Sequence, residues 1–112
     1  MDEFVQLRAE RIRLEAEQPE LFRTLSAILF EHDPMRINFK INTDEYDPEV
    51  GSILPRLAMC QSQADALLVM LEEFRRWFAP HKVEAANPRF QAIAQAFWAT
   101  WQAHQQDLGE AR

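Results

Sequence analysis

Apolar side chains recur at intervals of three and four positions through most of the chain, which is the spacing of one face of an amphipathic helix. The pattern predicts five helical segments: residues 3–16, Pro19 to about His32, a short helix from Asp47, Ser62 to about Phe78, and Asn87 to about Gln106. We therefore expect an all-α protein, with residues 1–112 forming one domain that folds as a compact bundle of four or five helices.

Three of these helices have recognisable start signals. Asp47 and Asn87 each precede a proline, so that a side-chain oxygen can cap the first turn and the proline fits the first helical position. Ser62, with Asp65 three residues later, approximates a capping box. The helix that begins at Asp47 is expected to be short or kinked, because it contains Gly51 and an internal proline.

The same spacing predicts which faces of the last two helices are buried. For the fourth helix the expected buried stripe is Ala64, Leu67, Leu68, Leu71, Phe74 and Phe78. For the last helix it is Phe90, Ile93, Ala94, Phe97 and Trp101, with Trp98 at its edge. The acidic pair Glu72 and Glu73 lies three and four positions before Arg75 and Arg76, which predicts a solvated strip of ion pairs.

One segment departs from helical spacing. From Met35 to Asn42 apolar and polar residues alternate strictly, which is the period of a β-strand. We therefore expect the residues near 35–42 to be extended. Two interpretations stay open: a loop whose apolar side chains cover the helical core, or an exposed strand that pairs across a homodimer or with a partner.

Composition restricts the class of partner and the compartment. The 112 residues include 12 Lys and Arg against 18 Asp and Glu, a net charge of −6, so a nucleic-acid partner is not expected and a basic protein is favoured. No stretch is long and apolar enough for a membrane span, and the acidic N-terminus is unlike a signal peptide. The single Cys60 fits a reducing compartment, so we expect a cytoplasmic location.

The sequence contains no pattern typical of a catalytic or cofactor site. His32, His81 and His104 lack the spacing of a helical zinc site, and two glycines are too few for a glycine-rich phosphate loop. We therefore expect a non-enzyme without a cofactor or a bound metal. A metal-assisted hydrolase that uses Asp33, Glu45 and His32 is kept as a minor alternative.

The densest polar cluster is the acidic turn, formed by Asp44, Glu45, Tyr46 and Asp47. A structural interpretation makes Asp47 a helix cap and Asp44 a turn residue. A functional interpretation presents the turn to a basic protein partner, since tyrosine offers rigid contact area and carboxylates fix orientation. We expect these four residues and Trp98 to bind the partner. The alternative is a homodimeric or accessory subunit that uses the strand-like segment and Trp98.

The stretch from His32 to Leu57 contains an Asp-Pro loop followed by the run DEYDPE at positions 44–49. In these residues the chain resembles small uncharacterised bacterial helical proteins that share this loop and acidic turn. Some proteins of this kind are associated with toxin and immunity systems, in which an acidic surface blocks a basic toxin domain. The resemblance implies a bacterial cytosolic helical protein and assigns no chemistry to any residue; together with the acidic turn it makes an immunity or regulatory role the expected one.

Overall fold

The computed structural model describes residues 3–36 and 45–110 of the chain. Every regular element in these two ranges is helical, which confirms the predicted all-α class. The helices are α1 (Glu3–Glu17), α2 (Pro19–His32), α3 (Asp47–Leu57), α4 (Gln63–Trp77) and α5 (Pro88–Glu110), with a 3₁₀ turn at Pro80–Lys82. The predicted extended segment lies mostly outside the described residues, and Asp44 lies outside them altogether.

Four of the helices form a ring around one apolar core. Both α2 and α4 pack against α3 and α5, while α1 lies outside the ring against α3 and α2. The largest buried side chains of the core are Phe22, Tyr46, Phe74, Phe90 and Phe97. The Phe74 ring centroid lies 5.2 Å from that of Phe90 and 6.0 Å from that of Tyr46, so this side chain links α4 to α5 and to the start of α3. None of the described helices has the length and apolar character needed to cross a membrane.

The caps predicted for α4 and α5 are confirmed. Ser62 Oγ accepts the Asp65 backbone N–H at 3.1 Å, and Asp65 Oδ2 in turn accepts the backbone N–H of Gln61 at 2.9 Å. Asn87 Oδ1 accepts the backbone N–H of Arg89 at 2.9 Å. These bonds satisfy N–H groups that a helix start leaves without intrahelical partners, which is why both starts could be located from the sequence.

The start of α3 differs from the prediction by one position. Asp47 is the first residue of the helix, and Tyr46 precedes it as the N-cap without a side-chain capping bond. The Asp47 carboxylate instead accepts a hydrogen bond from Ser26 Oγ at 2.6 Å, because α2 passes close to this turn. The predicted cap role of Asp47 is therefore wrong. The helix is short, at 11 residues, as expected.

The buried face of α5 is confirmed, but that of α4 is rotated from its predicted position. On α5 the first four residues of the expected stripe are fully buried, and Trp101 and Trp98 are half-buried against the core. On α4, Leu68 is 59% exposed, whereas Met70 and Glu73 are buried. The spacing of apolar residues did not predict this buried face, because the carboxylate of Glu73, which is paired with an arginine, occupies part of it.

The outer helix α1 meets α3 at a glycine. A β-carbon added to Gly51 would lie 2.7 Å from the Arg11 Cβ, so the two backbones come this close only because Gly51 has no side chain. Leu14 is the one buried residue among the described side chains of α1. An ion pair between Glu3 and Arg76 also connects the first turn of α1 to α4.

Candidate functional site

Tyr46 of the acidic turn lies inside the fold. Its exposed fraction is 0%, and its ring packs beside Phe74. The phenolic oxygen donates to Asp33 Oδ1 at 2.6 Å and accepts the backbone N–H of Met35 at 3.1 Å. The expectation that this tyrosine contacts a partner is therefore wrong, because its apolar ring is needed in the core and its hydroxyl is satisfied internally.

The same connection is tied to α5. Arg89 Nη1 donates to the backbone carbonyl of Asp33 at 3.0 Å, so that the end of α2, the start of α3 and the start of α5 meet around Asp33. Asp33 itself has a positive φ of 44° and closes α2 with its N–H bonded to the Leu29 carbonyl. The three residues Asp33, Tyr46 and Arg89 therefore form a structural junction. No local sequence pattern indicates a contact between positions so far apart.

The other residues predicted to bind a partner are less exposed than expected. Glu45 and Asp47 are half-buried, and Asp47 accepts the Ser26 hydrogen bond described above. Trp98 is half-buried against the core. The tyrosine of the acidic turn is therefore not available at the surface. Asp47 lines a separate concave surface, which is described next.

A groove runs along α2 between the end of α1 and the start of α3. It encloses about 490 Å³ and is open to solvent, and we call it the α1–α2–α3 groove. Its lining consists of Glu15 from α1, Asp47 from α3, and seven residues of α2: Pro19, Phe22, Arg23, Ser26, Ala27, Phe30 and Glu31. The groove therefore combines an aromatic floor with charged walls, which is the composition of a binding cleft.

The charges around this groove are mostly negative. Three carboxylates, those of Glu15, Glu31 and Asp47, line it together with one guanidinium, that of Arg23. Glu15, Glu31 and Arg23 are exposed and come from two different helices, so neither acid stood out in the sequence. Both acids lie in the last turns of their helices, and only the fold brings them close to Asp47.

Two other carboxylates are buried. Glu49 is 4% exposed, and burial raises its pKa to about 7. Glu73 is 2% exposed and accepts a hydrogen bond of 2.8 Å from Arg56 Nη1, with Arg76 Nη1 3.4 Å from its other oxygen. The predicted solvated ion-pair strip on α4 is thus wrong for Glu73, because Arg56 of α3 crosses to α4 and also binds the exposed Glu72 at 2.6 Å.

The groups expected for the minor hydrolase hypothesis do not form a cluster. No group of three or more His, Cys, Asp or Glu side chains within residues 3–36 and 45–110 is arranged to hold a metal ion. Asp33 accepts the Tyr46 hydroxyl, as described above. Burial, followed by the nearby Asp65 charge, raises the pKa of the Cys60 thiol, which favours the less nucleophilic protonated form.

Comparison of the chain with protein-family models, with curated proteins and with solved structures gives no match.

Proposed function

We propose that the protein is a non-catalytic binding protein whose α1–α2–α3 groove takes a basic segment of a protein partner. One observation carries the proposal: Glu15, Glu31 and Asp47 line a single open groove together with Phe22 and Phe30. An arginine or lysine side chain has an apolar stem and a cationic head, so it matches both parts of this surface.

The net charge of −6 supports the same kind of partner, because it attracts a basic protein over longer distances. The resemblance of the stretch from His32 to Leu57 to small, partly immunity-like bacterial proteins adds a biological setting, in which the partner is the basic domain of a toxin or of a regulated protein. This proposal assigns partner binding to the residues of the groove in place of those of the acidic turn. Asp47 belongs to both sets.

The test is the binding of two fluorescently labelled peptides to the full chain, measured by anisotropy. One peptide contains arginine and phenylalanine, and the other has glutamate in place of each arginine. We expect the arginine peptide to bind at least about tenfold more tightly, with an affinity that falls as salt is added. Binding of the arginine peptide to the Glu31→Lys variant should be about tenfold weaker than its binding to the wild-type chain.

Asp107→Lys is the matched control, since Asp107 is exposed on α5 and does not line the groove, yet its substitution changes the net charge equally. If Asp107→Lys weakens binding as much as Glu31→Lys, the attraction comes from overall charge and the groove is not the site. Equal binding of the two peptides would refute the proposal outright. Sedimentation of the free chain at micromolar concentration tests the homodimer alternative.

A further inference from the structure

A second pocket lies where α1 meets α3 and α4. It encloses about 190 Å³ and is lined by Leu7, Arg8, Arg11, Pro48 and Trp77, and we call it the Arg8–Arg11 pocket. It shares no lining residue with the α1–α2–α3 groove. Three of its lining residues are apolar and two are arginines, a combination that suits a ligand with an apolar body and an anionic group.

The two arginines of this pocket are in no ion pair with the residues that the structure describes. The side chains of Arg8 and Arg11 form no ion pair or hydrogen bond with the residues that the structure describes. By contrast, Arg13, Arg56 and Arg76 each contact two glutamates. Two like charges three positions apart on one helix repel each other, so an anion between them would relieve that repulsion. In a chain of net charge −6, such a local positive site stands out.

The internal acid that acts on Arg11 is Glu49. Its Oε2 atom is buried and has no hydrogen-bond partner in the described part of the chain, so it does not close an ion pair with Arg11. Burial raises the pKa of Glu49 to about 7, the neighbouring Asp47 adds to the rise, and Arg11 opposes it. Near neutral pH a large fraction of Glu49 is therefore uncharged, which leaves the Arg11 guanidinium available to an external anion.

We propose that the Arg8–Arg11 pocket binds a small monocarboxylate that bears an apolar group. A guanidinium forms two parallel hydrogen bonds with a planar carboxylate, and the remainder of the ligand would pack against Leu7, Pro48 and Trp77. The volume of 190 Å³ is below the roughly 300 Å³ at which pockets for drug-sized ligands begin, so the ligand has few heavy atoms. This site is independent of the proposed peptide groove.

The experiment is an NMR titration of the ¹⁵N-labelled full chain with sodium phenylacetate. Phenylacetamide is the neutral isostere, and inorganic phosphate is the anion without an apolar body. We expect saturable shifts of the backbone amides around Leu7 and Arg11 with phenylacetate, and at least about tenfold weaker binding of the other two compounds. Arg8→Gln and Arg11→Gln should each weaken phenylacetate binding about tenfold. Lys82→Gln removes the same charge at an exposed residue that lines neither the Arg8–Arg11 pocket nor the α1–α2–α3 groove, and it should leave phenylacetate affinity within about twofold of the wild-type value.

Three results would overturn the proposal. Equal binding of phenylacetamide would indicate an apolar cleft alone, and equal binding of phosphate would indicate a general anion site. Wild-type affinity in both Arg8→Gln and Arg11→Gln would show that the guanidinium groups do not hold the ligand. Because the Arg11 stem packs against Gly51, circular dichroism checks the fold of that variant, and the exposed Arg8 provides the same test without this contact.

Discussion

Tyr46 Oη donates a 2.6 Å hydrogen bond to Asp33 Oδ1, although the two residues are separated by the whole connection between α2 and α3. Asp33 ends α2 and Tyr46 immediately precedes α3, so the bond joins the two ends of this connection. Arg89 adds a bond from the start of α5 to the Asp33 carbonyl. Tyr46 therefore belongs to the framework that holds three helix ends together.

Replacing Tyr46 by phenylalanine should keep the ring packing and remove only the hydroxyl. Asp33 Oδ1 then loses a donor and the backbone N–H of Met35 loses its acceptor. We expect a loss of about 1–3 kcal/mol in the free energy of unfolding, measured by urea denaturation. Asp33→Ala combined with Tyr46→Phe should cost less than the sum of the single changes, since they remove the same bond. Strict additivity would contradict this pairing.

Arg56 should matter far more for stability than other arginines that bind glutamates. Its removal leaves Glu73, which is 2% exposed, with Arg76 as the remaining cation in ion-pair range. We expect Arg56→Ala to lower the free energy of unfolding by about 3 kcal/mol, because a buried carboxylate loses its main partner. Arg13→Ala is the matched control: it also breaks two ion pairs, with Glu10 and Glu17, but these are exposed and screened by solvent, so the free energy of unfolding should fall far less than in Arg56→Ala.

A comparable effect of the two substitutions in urea denaturation would show that Glu73 is not held in place by Arg56. Arg56→Met combined with Glu73→Leu separates pairing from packing. Removing both charges should recover part of the lost stability, since neither partner is then left alone in an apolar environment.

Local signals accounted for most of the helical architecture. Pro19, Ser62 and Asn87 mark helix starts because proline and short polar side chains act on the backbone within a few residues. The apolar stripe of α5 was correct because this helix has one continuous buried face. The fold class and the approximate helix bounds could therefore be predicted from the sequence.

The candidate site was not predicted, because it depends on contacts between distant parts of the chain. Tyr46 was expected at the surface since acids surround it in sequence, but Asp33 and Phe74 determine its burial. Glu73 was assigned to a solvated strip because Arg75 and Arg76 follow it and Glu72 at helical spacing, and Arg56 from another helix accounts for the difference. In both residues the polar group is satisfied by a partner that no periodicity reveals.

Glu49 should make the protein less stable as the pH rises towards neutrality. Its pKa is about 7 in the folded protein against 4.5 as the ordinary value. Between these two values the folded state holds a proton that the unfolded state has released, so the free energy of unfolding falls as the pH rises from 4.5 to 7 and then levels off. The total loss from this group is about 3 kcal/mol at most.

Urea denaturation at about pH 5 and about pH 8 measures this loss. Glu49→Gln should flatten the difference between the two conditions, because glutamine does not ionise. Glu84→Gln, at an exposed acid outside the helices, should leave the wild-type difference in place. An unchanged pH dependence in Glu49→Gln would mean that another group is responsible.

The two glycines should respond to alanine in opposite directions. Alanine normally stabilises a helix relative to glycine by up to about 1 kcal/mol, and Gly109 of α5 has no atom within 4 Å of an added β-carbon, so Gly109→Ala should raise the urea midpoint slightly. At Gly51 the β-carbon would lie 2.7 Å from Arg11 Cβ and 3.2 Å from Arg11 Cα, atoms that cannot move without displacing α1. Gly51→Ala should therefore lower the free energy of unfolding by about 1–3 kcal/mol in spite of the favourable helix propensity. A midpoint that rises in both variants would show that α1 does not pack on α3 at this distance.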